Sequence, residues 1–220
     1  HGAHAVAPGA VEIGAGFSST FGASRQAQPV DSNDRSVQEM AVSPGMAPWV
    51  GGRVGFEGDL DAGLIYTGRT ARIDVRKSFV LSGGRALSIG VGASGLLPKR
   101  RADLGLRVGG FGGDVPLVFG WRSASDTFAL WIGARGGAEL IRGQRELATN
   151  PDPALAAAPT LDEVKGWHTQ AGGLLGLRVG FDFVFAVLGF DAAMHWAEID
   201  VGAAHIVFRQ FAIAPSGAIL

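Results

Sequence analysis

A chain of 220 residues with 47% apolar residues, 18% charged residues, 35 glycines and no cysteine is long enough for one domain with a full core. Its 19 Lys+Arg against 20 Asp+Glu leave a net charge of −1, which excludes nucleic acid as the main partner because phosphate neutralisation needs a basic surface. The missing cysteines exclude disulfides, thiol catalysis and Cys–zinc sites, and the glycines lack the Gly-X-Y period of collagen.

No window offers the roughly 18 uncharged apolar residues of a spanning helix. The nearest, "FVFAVLGFDAAMHW" from Phe183, is broken by Asp191. The recurrent pattern has period two, which marks strands. After an N-terminal lead over 1–9, a first strand is predicted at about 10–22 with Glu12 on its polar face, followed by a long connection at about 23–44. Strands over 45–57 and 60–68 flank the short turn "EGD" and carry Arg53, Glu57 and Asp61. In the strand over 71–79, Arg72, Asp74 and Arg76 alternate with Ile73, Val75 and Phe79.

The strand over 86–97 contains "GVGASG", which has dinucleotide-binding spacing but is followed by Leu96-Leu97-Pro98 where that motif needs a helix, so strand plus loop is expected. "PKRRAD" (98–103) follows, a basic cluster suited to lipopolysaccharide phosphates. The strand over 103–121 is apolar at Leu104, Leu106 and Val108 but also at Leu117, Phe119 and Trp121. A glycine bulge at "GGFGGD" is expected to switch its parity, the alternative being two short strands. Strands over 126–141 and 166–180 enclose a second long connection, 142–165, in which "TLDEVK" has the Thr cap and early acids of one helical turn. Strands over 184–199 and 205–219 complete ten.

Short turns on one rim, long connections on the other and an even strand number define a transmembrane antiparallel up-and-down β-barrel, a single domain over 1–220. Arg53, Arg72, Arg107, Arg135, Arg178 and Arg209 each sit opposite the large apolar residues of their strands. On the lipid face each would cost about 2–4 kcal/mol near mid-membrane, so they are expected in the lumen. The acids Glu12, Glu57, Asp61, Asp74, Glu139 and Asp191 share that parity, as do Arg76 and His195. These residues together form the predicted lumen charge network. Phe56, Phe79, Trp121 and Phe181 near the short-turn rim, with Trp167 and Trp196 near the other, form the predicted aromatic girdles.

With strands of this type the chain resembles the small bacterial outer-membrane β-barrel proteins, the OmpA/OmpX/OmpW-like group. The resemblance implies export to the outer membrane, by a signal peptide absent from this chain, and the lipid bilayer as partner. Such barrels end in an aromatic residue, whereas this chain reads "APSGAIL" to Leu220.

Three functions follow as expectations, none with a cofactor or metal. The first is a non-enzymatic barrel with a charge-filled lumen, acting as a scaffold or binding an envelope or surface partner through its long loops. The second is a narrow channel for small anions. The third is a rim-sited hydrolase built on His195 and Asp191, which lie four apart on one face near His168. Glu198, three after His195, falls on the opposite face and does not make a metal pair.

Overall fold

The computed structural model describes residues 2–22, 45–68, 70–101, 106–146, 161–181 and 183–220. Ten strands run in chain order: β1 (Val11–Gly22), β2 (Gly45–Phe56), β3 (Leu60–Tyr66), β4 (Thr70–Val80), β5 (Arg85–Arg101), β6 (Leu106–Arg122), β7 (Phe128–Glu146), β8 (Leu161–Phe181), β9 (Val184–Val201) and β10 (Ala204–Ile219). Each pairs antiparallel with its chain neighbours, and β1 closes on β10 to complete a barrel. Closure matters because it leaves no unpaired strand edge, a condition for crossing lipid. Among the described residues no helix is long and apolar enough to cross a membrane.

The alternation read from the sequence sets the two faces. Ile13, Val50, Leu64, Ile73, Val91, Leu117, Ile132, Leu175 and Leu188 are exposed on the outside. Arg53, Asp61, Asp74, Arg76, Asp114, His168 and His195 are buried inside. A soluble barrel would place these sets the other way round. The hairpin after β2 turns through Gly58 and Asp59, both in the left-handed region at φ 74° and 55°, the signature of a tight turn matched to strand twist.

The barrel wall is uneven. β1 to β4 have 7 to 12 residues, whereas β5 to β10 have 16 to 21. In the taller part, near the long-loop rim, polarity inverts. Val108, Ile141, Val164, Ile199, Val201, Ile206 and Phe208 form a buried apolar cluster on the inward parity of their strands. On the outward parity Arg107, Arg142, Gln144, Glu163, Lys165 and Arg209 are exposed. Charge faces outward where the outside is water, and apolar side chains then fill the inside.

That inversion corrects several expectations. β6 carries no parity switch: it pairs with β7 without a break from Leu106↔Arg145 to Arg122↔Ala129. The irregularity lies instead in β5, between Leu96 and Lys99. Val108 therefore points inward with Asp114, and Arg107 points outward with Phe111 and Val115. Arg209 likewise shares the outer face with Val207 and Phe211. Both arginines stand above the apolar belt, where an outward guanidinium meets water and the lipid penalty does not apply. Glu57 lies in the exposed turn after β2, outside the lumen. The expected helical turn at "TLDEVK" is absent from Leu161 onward, because β8 begins there and pairs with the end of β7. The second long connection thus shrinks to 147–160, which lies outside the described residues, as does 23–44.

Candidate functional site

The lumen is crossed by an alternating chain of ion pairs. Arg76 Nη2 lies 2.6 Å from Asp61 Oδ2, and Arg53 Nη1 lies 2.9 Å from Asp61 Oδ1. Arg53 and Arg72 both contact Asp74. Arg72 then makes a two-point contact with Asp114, Nε to Oδ1 at 2.9 Å and Nη2 to Oδ2 at 3.0 Å. Arg135 Nε closes the run on Asp114 Oδ2 at 2.6 Å. Four arginines and three aspartates from β2, β3, β4, β6 and β7 are so joined in one path. Each buried charge has an opposite partner, the condition under which charges persist away from water.

The glycines of these strands make room for the path. A Cβ on Gly63 would come within 2.6 Å of Arg53 Nη2, and one on Gly92 within 2.5 Å of Arg72 Nη2 and Asp114 Oδ1. A second cluster sits at the short-turn rim, where Arg178 reaches Asp126 at 2.5 Å and Glu12 at 3.7 Å.

The N-terminal lead enters this lumen and does not trail from it. Ala3 is 1% exposed and packs in a cluster with Ala86, Val118 and Trp131. Ser78 Oγ donates to Ala3 O at 2.9 Å, Arg76 donates to Gly2 O and His4 O, and Val6 N donates to Asp61 Oδ2 at 3.2 Å. Asp61 and Arg76 therefore serve the ion-pair path and the lead at once. Burial first, and next the positive charge of Arg122, hold the His4 imidazole below its ordinary pKa. The docked lead thus favours neutral His4. Docking is fully favoured above the ordinary histidine value of about 6.5 and weakens as pH falls below it. Amide exchange of residues 2–8 is expected to speed up at pH 5 relative to pH 7.5, once intrinsic exchange rates are corrected for, and His4→Gln is expected to remove that difference.

His168 Nε2 and His195 Nδ1 are 2.9 Å apart. Their rings are parallel within 3° with centroids 5.2 Å apart. That separation equals the N···N contact plus the two ring radii, so the rings lie end to end, as a linear hydrogen bond requires, and not face to face. Glu139 Oε2 lies 3.6 Å from the other nitrogen of His168. His195 is thus joined to His168, whereas Asp191, expected as its hydrolytic partner, lies four residues away along β9, about 13 Å distant at a strand rise of roughly 3.3 Å per residue. Among the described residues no group of three or more metal-ligating side chains converges.

Of the predicted network, Glu12, Arg53, Asp61, Arg72, Asp74, Arg76, Arg135, Glu139, Arg178, Asp191 and His195 are on the inward parity; Arg107, Arg209 and Glu57 are not. The sequence reading missed Asp114, hidden by the assumed bulge, although its parity against Val115 and Leu117 was legible. It also missed Trp131, 6% exposed, which lies over Gly176 in the lumen. The girdle residues Phe56, Phe79, Trp121, Trp167 and Phe181 are exposed on the outer face, and Trp196 shares the outer parity of β9.

A closed ring of antiparallel strands, apolar outside and charged inside, defines an outer-membrane-type β-barrel that crosses the bilayer with its strands. No family model matches the chain, and no curated protein matches it. Among solved structures it is similar to Neisserial surface protein A (11% identity, 95% of this chain and 93% of that one, TM-score 0.33). It is also similar to BamA from Haemophilus ducreyi lacking POTRA domains 1–3 (10% identity, 88% of this chain and 42% of that one, TM-score 0.30). A third is the attachment invasion locus protein Ail of Yersinia pestis (13% identity, 97% and 99%, TM-score 0.25). These are likenesses of broad shape, and the assignment to the class rests on strand register and on the outward apolar belt.

Proposed function

We propose that this protein is a non-conducting, non-enzymatic outer-membrane barrel that holds its long-loop rim rigidly at the cell surface as a scaffold or interaction platform. The observation that carries this reading is the filled lumen: the path from Arg76 to Arg135 and the docked lead occupy the space a solute would need. Among the described residues, recesses of about 350 and 360 Å³ have Arg76 and Trp131 in the walls of both. Ten strands also lie close to the eight at which side chains alone fill a barrel. Above the belt, the cluster around Ile141, Val164 and Ile199 gives the tall wall a core of its own, which favours a stiff support for the loops.

Planar-bilayer recording of the refolded full chain, selected by heat-modifiable gel migration, tests the reading. A folded and silent protein is the expected result. Discrete anion-selective openings would replace it with the narrow-channel reading, in which the lumen arginines act as the filter.

A further inference from the structure

Each aspartate of the ion-pair path is shared by two arginines, but four guanidiniums meet only three carboxylates, so one positive charge is left over. It falls on Arg135. Its Nε is bound to Asp114, its side chain is 39% exposed, and its two terminal nitrogens bond to no described residue. The matching negative charge stands two strands away. Asp191 is inward on β9, two residues before Ala193, which shares a register row with Gly172 and Arg135. Two strand spacings separate Arg135 from Asp191 by roughly 10–12 Å at Cα. On β8 between them that row is occupied by Gly172, which has no side chain to fill the gap. Arg135 is the charge that acts on Asp191. Even so, no ion pair joins them, and Asp191 makes no hydrogen bond with a described residue.

Both line a lumen recess of about 350 Å³, a volume within the range of small-molecule sites. Ser18 and Ser216, register partners across the β1–β10 seam, line the same recess, and their hydroxyls bond to no described residue. Trp49, inward on β2, and Leu174, packed against the Trp131 cluster, give it apolar walls. No described residue of the lead lines it. Elsewhere in the path the charges satisfy one another. Here a cation, an anion and two hydroxyls face one space without partners.

We propose that this recess binds a small zwitterion of the amino-acid type, its carboxylate on the terminal nitrogens of Arg135 and its ammonium on Asp191. A guanidinium presents two parallel donors to a carboxylate, and Trp49 offers the ammonium end an aromatic wall. Charge balance selects the class. A simple anion would leave Asp191 uncompensated, a simple cation would leave Arg135 so, and an uncharged sugar would leave both. Because the gap is wider than an ion pair, it suits charges set several bonds apart. A closed lumen holds such a molecule without passing it, so the site goes beyond the platform reading and needs no conductance.

The test titrates the refolded full chain, selected by heat-modifiable migration in a non-ionic detergent, with γ-aminobutyrate, butyrate and butylamine, followed by calorimetry. Saturable binding of γ-aminobutyrate is expected. Both singly charged analogues should bind about tenfold more weakly or worse, the least that losing a hydrogen bond to a charged group implies. Asp191→Asn is expected to abolish the preference over butyrate and keep the preference over butylamine. Arg135→Gln is expected to do the reverse. Since Asp191 bonds to no described residue, its variant should keep the parent's heat-modifiable migration. Butyrate bound as tightly as γ-aminobutyrate would overturn the site. So would a lack of saturable binding by all three, or a folded Asp191→Asn variant with the parent's preferences.

Discussion

Asp61→Asn is expected to cost about 3–5 kcal/mol of folding stability, because it leaves two buried guanidiniums without their shared counter-charge. The Asp61 side chain is 0% exposed, and those of Arg53 and Arg76 beside it are 5% and 7%. The same carboxylate also accepts from Val6 N, so the lead loses an anchor. The measurement is the urea midpoint of the refolded barrel in micelles, followed by loss of heat-modifiable migration. A cost below about 1 kcal/mol, the range of ordinary surface changes, would mean that water solvates these charges and the lumen is wetter than the ion-pair path implies. Adding Arg76→Met to Asp61→Asn is expected to recover part of the loss, since removing both partners of a buried pair is far cheaper than removing one.

Trp131→Ala is expected to cost a further kind of stability, about 3–5 kcal/mol, by opening a cavity where a buried inward indole now sits. The indole packs with Ala3, Ala86 and Val118, and a Cβ at Gly176 would overlap it. Its loss also removes the wall shared by the two lumen recesses and the surface against which Ala3 docks. Brief, small conductance steps are therefore expected in planar bilayers from Trp131→Ala where the parent is silent. A variant that is folded, equally stable and silent would mean that the lead and the arginine path close the lumen without the indole. The converse change, Gly176→Leu, is expected to cost about 1–3 kcal/mol by crowding the ring.

The ten strands and their facing were legible because lipid and lumen impose opposite demands on alternate residues, and period two records that directly. Ile73 against Arg72, or Ile132 against Arg135, is enough to assign both faces. The same rule failed at Arg107, Arg209 and Val108, where apolar residues were read as lipid-facing. Alternation gives two faces but does not say which solvent each one meets, and above the membrane the solvents exchange sides. The glycine-rich "GGFGGD" offered a local reason to preserve the wrong assignment by a bulge. The continuous β6–β7 ladder removes it.

Spacing within each strand was enough to read the barrel and its ten strands, to turn Phe56, Phe79, Trp121, Trp167 and Phe181 outward, and to put Arg53, Arg72, Arg135 and Arg178 on the opposite face. Tertiary structure alone decided which charge meets which. Arg72 and Asp114 are 42 residues apart and Arg178 and Asp126 are 52 apart, and their contact depends on barrel curvature and shear. It also decided that the lead folds back into the lumen and that His195 meets His168. Register between strands is a long-range property, fixed when the ring closes, and no local period encodes it.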